Sequence, residues 1–342
     1  MFSQSALPRL LSLLPALGLI ALAPAAGAAD TLRLGLPVDC DLGGLCVVQH
    51  YVDMDPGPDG RDHRCGPLTY DDHNGIDIRV PTYVEMERGV PVVAAAAGVV
   101  KELRDGMADI SIKEAGENSI EGRKAGNSVI IDHGEGWETQ YAHLRKESIV
   151  VQRGAEVEAG DQLGLIGLSG ATEFPHLHFS VRRNGMRIDP FTGLAAGSGC
   201  GRSLRSLWHE EARRKLIYRP GGLLVAGFAD QPTESTVALM KGAHRETVLP
   251  STAPSLIFWT LAWGLRGGDR EMRRLFGPDG RVLIESTYLV PKDKAQWQRH
   301  IGRRLRGDAW PKGVYKGTYR VERDEGGITT TVIDVERALT VE

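Results

Sequence analysis

The chain lacks the features that mark nucleic-acid-binding proteins and integral membrane proteins. Its 41 basic residues are offset by 44 acidic ones, for a formal net charge of −3, and aromatic residues make up only 6% of it. A chain with this balance has no excess of basic residues for a nucleic-acid-binding face, so no nucleic-acid partner is expected. Beyond the N-terminal segment, no stretch reaches the roughly 18 apolar residues that a membrane-spanning helix requires.

Cysteine is also scarce, with four residues at Cys40, Cys46, Cys65 and Cys200. Their spacings lack paired Cys-x-x-Cys units, which argues against a thiolate zinc cluster. In an exported protein an even number of cysteines predicts disulfides. Cys40 with Cys46 would close a small loop, and Cys65 with Cys200 would join the two ends of the first domain, but the sequence alone leaves three pairings open.

The first 28 residues have the organisation of a secretion signal. Arg9 is the single charge of a short n-region, residues 10–22 are rich in leucine and alanine, and residues 26–28 supply the small side chains that precede a cleavage site. The apolar stretch is too short, and too soon followed by polar sequence, to predict a membrane span. We therefore expect an exported protein with no stable membrane span after cleavage of the signal.

Short apolar runs alternate with turn residues through residues 40–189, a pattern typical of short β-strands. The 42 glycines and 18 prolines fit a loop-rich β protein better than a helical one. Residues 104–125 interrupt the alternation with polar, glycine-containing sequence, which predicts a long surface loop. We place the first domain at residues 29–202.

A helical linker and a second β domain are predicted after the first. Ser203 could cap a helix whose apolar positions recur at helical spacing: Leu204, Leu207, Trp208, Ala212 and Leu216. Residues 203–222 are therefore predicted to be a helical linker. Strand-like runs follow at residues 255–262, 281–284, 313–319 and 328–335. They predict an accessory β-sandwich over residues 223–342, for which an immunoglobulin-like arrangement is one option.

The tripeptide His176-Leu177-His178 is the first candidate for chemistry. Pro175 keeps the preceding residue extended, and the residues after the tripeptide are strand-like. Residues two apart on a strand point to the same face, so the two imidazoles project together. Both could bind a metal, or one could bind it while the other works beside it. The alternative is two unrelated histidines in a half-buried strand.

His73 and Asp77 form a second cluster, four residues apart, with Gly75 between them to permit a turn. His143 lies in a third segment. Nitrogen and carboxylate ligands without thiolate, with one position left open, describe a catalytic zinc site. Its protein ligands would be His73, Asp77 and one histidine of the later pair. Five other histidines have no ligand partner at motif spacing and are predicted to be ordinary surface or core residues: His50, His63, His209, His244 and His300.

Residues 71–190 resemble the lysostaphin-type (LytM-like) zinc endopeptidases of bacterial peptidoglycan. The similarity runs in order through His73-x-x-x-Asp77 and residues 91–100, 126–137, 141–144, 154–160 and 175–179. Several motifs in the same order make a stronger match than any one alone. The resemblance implies a lysostaphin-like split antiparallel β-sheet or barrel for the first domain, and with the predicted sandwich the whole chain is expected to be all-β.

The resemblance also implies the role of each residue. His73, Asp77 and His178 would bind one Zn²⁺ per chain, and His143 and His176 would be the catalytic pair. In this division a metal-activated water attacks the peptide bond. A histidine that is not a ligand can accept the proton of that water and then protonate the departing amine.

The implied function is that of an exported zinc metalloendopeptidase in the periplasm of a Gram-negative cell, hydrolysing peptide cross-links or stem peptides of peptidoglycan. Departures from the family pattern at Ile76, residues 81–88 and residues 171–174 concern substrate choice rather than the reaction class. An alternative is a non-catalytic regulator that binds and activates a separate wall amidase, and another is a zinc carboxypeptidase. The presence of all five expected polar residues favours the endopeptidase. The oligomeric state is not predicted.

Overall fold

The computed structural model describes residues 1–2, 32–116, 120, 122–232 and 235–342. The chain divides into two units, Met1–Thr31 and Leu32–Glu342. Apart from its first two residues, the predicted secretion signal lies outside the described part. Within that part, no helix has the length and apolar character needed to cross a membrane.

Two short helices and ten strands follow one another through the N-terminal half of the described chain. In order they are β1 (Val47–His50), β2 (Ile76–Arg79), α1 (Tyr83–Arg88), β3 (Pro91–Val93), β4 (Gly98–Arg104), α2 (Ile112–Ala115), β5 (Asn127–Asp132), β6 (Trp137–Leu144), β7 (Glu156–Val157), β8 (Gln162–Leu165), β9 (His176–Arg183) and β10 (Met186–Ile188). One antiparallel sheet has the order β1-β2-β9-β6-β5-β4-β7, with β10 beside β9, and β3 pairs with β8 separately. The prediction of a split antiparallel sheet is confirmed.

Two further sheets form the C-terminal half. Its elements are α3 (Glu210–Lys215), β11 (Gly222–Ala229), α4 (Thr236–Met240), β12 (Val248–Leu249), β13 (Ser255–Leu265), β14 (Arg270–Phe276), β15 (Val282–Leu289), β16 (Lys294–Arg304), β17 (Gly313–Glu325) and β18 (Ile328–Val341). Sheet β11-β13-β16 and sheet β12-β18-β17-β14-β15 enclose a common apolar core. The all-β prediction therefore holds here too, while the immunoglobulin-like arrangement and the domain boundaries stay predictions.

Strand β13 is buried along all 11 of its residues, on both faces. One face contributes to the sandwich core through Leu256, Phe258, Ala262 and Leu265. The other face belongs to the core cluster of the N-terminal sheet, through Ile257, Trp259, Leu261 and Trp263. Burial of a large apolar side chain stabilises a fold by about 1.5–3 kcal/mol. The two halves of the described chain therefore share a continuous core.

The helical linker is shorter than predicted. Only Glu210–Lys215 is helical, and His209 rather than Ser203 precedes it. The preceding residues are extended because they pair with Leu34, whose N–H donates to the carbonyl of Leu207 at 2.9 Å and whose carbonyl accepts from the N–H of His209 at 2.8 Å. The apolar spacing that predicted a helix instead buries Leu207 and Trp208 from an extended chain.

The structure contains two disulfides, Cys40–Cys46 and Cys65–Cys200. This is one of the three pairings that the sequence left open, the one that closes a small loop and joins the two ends of the first domain. The second bond joins residues 135 positions apart, and closing a loop of that size restricts the unfolded chain strongly. Two disulfides are also typical of a protein that folds in an oxidising compartment.

His63 makes the stability of the fold sensitive to acid. Its ring stacks on Phe191 with centroids 4.6 Å apart, and no partner among the described residues reaches its buried Nδ1. Burial lowers the pKa of His63 to about 4, below the roughly 6.5 of an unfolded histidine. The unfolded chain therefore binds this proton first as the pH falls. The stabilising contribution is present above pH 6.5 and is lost as the pH falls towards 4.

We expect H63F to reduce the acid loss of stability by about 1–3 kcal/mol, because phenylalanine keeps the ring packing and removes the titration. Urea unfolding at pH 7.5 and pH 4.5 measures the difference for wild type and variant. The matched control is H209A, which removes an exposed histidine. An equal loss of stability in wild type and H63F would contradict the assignment.

Candidate metal centre

Three neighbouring strands bring the predicted site residues together. Asp77 lies on β2 directly opposite His178 on β9, and His178 in turn pairs with Ala142 on β6, next to His143. His176 lies two residues before His178 on the same strand, so alternation places both on one face, as predicted. His73 is in the turn before β2, where its N–H donates to the carbonyl of Tyr70 at 3.0 Å.

His73, Asp77 and His178 form the candidate metal site. His73 Nε2 lies 3.1 Å from Asp77 Oδ1 and 3.3 Å from His178 Nδ1, and the last two atoms are 2.9 Å apart. Three ligands of a tetrahedral zinc at about 2.0–2.1 Å would lie roughly 3.3 Å from one another. The three atoms are therefore close enough to share one ion, and two imidazoles with one carboxylate suit zinc.

The remaining hydrogen bonds of both imidazoles direct a lone pair towards this point. His73 Nδ1–H donates to the carbonyl of Tyr51 at 2.6 Å, which leaves Nε2 free to bind a cation. His178 Nε2–H donates to Asn74 Oδ1 at 3.1 Å, which leaves Nδ1 free. Such partners set the tautomer and orientation of a metal-binding histidine. Each ring is thus already oriented as a ligand.

Gly75 is required for space rather than for a special turn conformation. A Cβ at this position would lie 2.6 Å from His178 Nε2 and 2.6 Å from the carbonyl oxygen of Phe179. Its φ angle is not in the left-handed region that favours glycine. The chain bends at Gly75, but the glycine is required because β9 approaches closely, not because the bend needs a left-handed conformation.

The pKa values of the site depart from their ordinary ranges because the groups are buried side by side. Burial, helped by the neighbouring His176 and His178, lowers the pKa of His143 well below 6.5. Burial also lowers the pKa of His178 despite its bond to Asp77. Burial alone would raise the pKa of Asp77, but the charges and hydrogen bonds of His73, His176 and His178 lower it well below 3.8. For His73 burial acts in the same direction, but the charge and hydrogen bond of Asp77 outweigh it and raise its pKa above 6.5. Near neutral pH the site therefore holds the Asp77 carboxylate beside an uncharged His178, the states in which these two groups bind a cation.

His143 and His176 lie beside the candidate ligands, with ring centroids 4.7 Å apart. His143 Nδ1–H donates to the carbonyl of Ser169 at 2.7 Å, and His176 Nδ1–H donates to the carbonyl of Phe174 at 2.9 Å. The Nε2 atom of each ring is left for chemistry. His176 Nε2 is 3.4 Å from Asp77 Oδ1.

A bulge in β6 directs His143 into the site. Ala142 and His143 together lie opposite the single residue Ser128 of β5. His143 has a φ of 62°, in the left-handed region that only a few per cent of non-glycine residues adopt. β-Bulges often occur beside active sites, where they redirect a side chain.

The prediction that His50 is an ordinary residue overlooked its contact with the site. Its Nδ1 lies 2.9 Å from Asp77 Oδ2, the oxygen that does not face the other candidate ligands. Gln49 Nε2 donates to His50 Nε2 at 3.3 Å, and Arg79 Nη1 donates to Gln49 Oε1 at 2.6 Å. The buried side chains of Arg79, Gln49 and His50 thus form a hydrogen-bonded chain that ends on Oδ2 of Asp77 and fixes its carboxylate. The polar pair Gln49-His50 at the end of an apolar strand was a signal, but its pairing with β2 was not visible.

We expect H50A to weaken zinc binding by about 10–100-fold, the usual effect of removing a side chain that orients a metal ligand. Asp77 Oδ2, the oxygen that faces away from the other candidate ligands, would lose its hydrogen-bond donor, and the carboxylate would be able to rotate. H50Q keeps an N–H donor and is expected to recover part of the affinity. Competition with a chromogenic chelator measures it, with H209A as the control. Equal zinc affinity in H50A and wild type would contradict the role.

The candidate site adjoins a cleft of about 570 Å³ that is lined by one candidate ligand, Asp77, together with His50, His143 and His176. The cleft is also lined by Thr69, Tyr70 and residues 171–174. The last segment, one of the departures from the family pattern, thus contacts both the cleft and His176.

Comparison with known proteins shows which family residues 71–190 are similar to. Residues 71–190 match the sequence model of Peptidase family M23, which confirms the resemblance. The chain is 35% identical over 120 residues to the DD-carboxypeptidase/endopeptidase Mpg of Neisseria meningitidis serogroup B, covering 34% of this chain and 22% of the relative. It is 32% identical over 117 residues to the peptidoglycan DD-endopeptidase ShyA of Vibrio cholerae, with the same coverage of each. The match thus spans about a fifth of these relatives.

Among solved structures, the catalytic domain of the antimicrobial peptidase lysostaphin from Staphylococcus simulans is similar to this chain. The two are 25% identical, and the alignment covers 35% of this chain and 77% of that domain with a TM-score of 0.26.

Proposed function

We propose that this chain, whose residues 71–190 form a Peptidase family M23 domain, is an exported zinc metalloendopeptidase that hydrolyses peptide bonds of peptidoglycan. The observation that carries the proposal is the convergence of His73 Nε2, Asp77 Oδ1 and His178 Nδ1, with no two of them more than 3.3 Å apart, beside two further imidazoles. The names of its relatives supply the substrate. A D,D-bond in a peptide cross-link is the preferred target, because both relatives are named for D,D-cleavage.

Zinc would be held by His73, Asp77 and His178, one ion per chain. When bound, it supplies Lewis acidity that polarises the scissile carbonyl and acidifies water. The donor set fits it because both imidazoles present a lone pair and the carboxylate stays ionised at neutral pH.

His143 is the general base in this proposal. Its Nδ1–H is held by the carbonyl of Ser169, so Nε2 carries the lone pair that accepts the proton of the attacking water. The low pKa of His143 keeps that lone pair free at neutral pH. The same nitrogen then passes the proton to the departing amine. General acid–base catalysis by a positioned side chain contributes about 10²–10⁴-fold to a rate.

His176 stabilises the charge that develops on the carbonyl oxygen. The carbonyl of Phe174 holds its Nδ1, and Thr172 Oγ1 lies 3.1 Å from the same nitrogen. The ring therefore presents Nε2 in a fixed direction, and an N–H at this atom would donate a hydrogen bond to the carbonyl oxygen. Donors held in place before the reaction are effective because they need no reorganisation.

Digestion of purified sacculi, with and without a chelator, tests the proposal. We expect the zinc-loaded protein to convert cross-linked muropeptides into monomers, as seen by mass analysis, and we expect the chelator to stop the conversion until zinc is restored. Release of wall material only after addition of a separate amidase would instead support the regulator. No change in the muropeptides under either condition would contradict both.

A further inference from the structure

The C-terminal half of the chain also lines the cleft. Its contribution comes from α4, through Thr236, Val237 and Met240, and from the start of β16 with the turn before it, residues 293–296. The catalytic histidines and these residues thus line one continuous space. We call these residues of the C-terminal half the wall of the cleft. A substrate bound at His143 and His176 lies in the space that they line.

Three contacts hold helix α4 in place. Met240 is 2% exposed, and its Sδ lies 3.8 Å from Arg79 Nη2, two residues beyond the candidate ligand Asp77. Thr236 Oγ1 donates to Gln298 Oε1 on β16 at 2.7 Å. Lys241, directly after α4, forms an ion pair with Glu114 of α2 at 2.9 Å. The wall is therefore built into the fold.

Charged groups that line the cleft already have partners. Lys113 Nζ lies 2.6 Å from Glu173 Oε2. Lys294 Nζ lies 4.7 Å from the centre of the Trp297 ring. Asp293 Oδ1 accepts a hydrogen bond from the N–H of Gly267 at 2.9 Å. Recognition by this wall therefore depends on uncharged groups more than on a free charge.

Gln296 is an uncharged polar residue of the cleft whose side-chain oxygen lacks a hydrogen bond. Its Oε1 is buried, and no donor within the described residues reaches it. On the same face of β16, by contrast, the amide oxygen of Gln298 accepts from Thr236. A buried amide oxygen without a donor is unfavourable, and such groups in native proteins call for a specific explanation. A ligand with an N–H that enters the cleft would supply the missing donor.

We propose that Gln296 is a substrate-binding residue, whose side-chain oxygen accepts a hydrogen bond from a main-chain N–H of the peptide in the cleft. Val237 and Met240 cover the apolar part of the same peptide. The inference rests on the proposed function, because it takes the peptide of peptidoglycan as the ligand. It makes the C-terminal half part of the substrate site.

Steady-state cleavage of a soluble cross-linked muropeptide dimer tests this role. Q296M removes the acceptor and keeps the length of the side chain, so we expect KM to rise about fivefold to tenfold, the loss of one neutral hydrogen bond. We expect kcat to change less than about twofold, with zinc content and melting temperature unchanged. H300M, an exposed position on the same strand, is the control. An unchanged KM in Q296M would overturn the proposal.

Q296E keeps an acceptor oxygen at the same position and separates hydrogen bonding from packing. We expect its KM to stay within about twofold of wild type, and a KM as high as that of Q296M would overturn the hydrogen bond. Co-sedimentation with insoluble sacculi gives a readout without cleavage. In the inactive H143N background, Q296M is expected to reduce the bound fraction. If the wild type cuts no wall substrate, the proposed function fails, and equal co-sedimentation with and without Q296M then overturns this inference separately.

Discussion

Alanine at His73 or Asp77 is expected to remove bound zinc and peptidoglycan hydrolysis together. Wild-type protein should contain about one zinc per chain, as a three-ligand catalytic site implies. Structural zinc sites with four protein ligands bind with about 10–16 kcal/mol, so one ligand accounts for roughly 3–4 kcal/mol, or about 10²–10³-fold in affinity. Metal analysis after dialysis against a weak chelator measures the loss.

The loss should be specific to the ligands. H300A removes an exposed histidine far along the chain and is expected to keep both the metal and the activity. His73 and Asp77 are each 2% exposed, so thermal unfolding of every variant must show that the fold is retained. Stoichiometric zinc in both H73A and D77A would show that the ligand assignment is wrong.

Replacement of His143 should reduce catalysis without reducing zinc binding. We expect H143N to keep zinc and to lose about 10²–10⁴-fold in kcat, the contribution of a general base. Asparagine is the better replacement because His143 has a φ of 62°, and asparagine tolerates this region more readily than alanine. Metal analysis and turnover on the same preparation measure the two properties.

H143A serves as the comparison for H143N. Both lack the imidazole, so both should be inactive, while only alanine should lower the melting temperature through backbone strain. Turnover close to wild type in H143N would show that another group accepts the proton. Loss of zinc in H143N with the fold retained would instead place His143 among the ligands.

The core of the site was predictable because its residues lie in short motifs with defined geometry. Alternation along β9 placed His176 and His178 on one face, and the structure pairs the second directly with Asp77. The order of the motifs then indicated the family. The reason for Gly75 was not predictable, since a close approach between β2 and β9 depends on how the strands pack.

Two other features depend on contacts between distant segments. His50 supports Asp77 only because β1 pairs with β2 across 27 positions, and no motif spans them. The sequence predicts β13 only as a strand. Its apolar residues lack the alternation of a half-exposed strand, a pattern typical of burial on both faces, but the sequence does not show which segment covers the second face.

The double burial of β13 limits where this protein can vary. A substitution at Phe258 changes the packing of the sandwich core, and one at Trp259 changes the packing of the core beside the N-terminal sheet. Residues on either face cannot change in size without repacking of the side chains that contact them. A change to the cleft that spares the shared core must therefore fall outside this strand. The turn before β16 lines the cleft and lies outside both core clusters, so a changed side chain there alters the cleft and leaves the shared core intact.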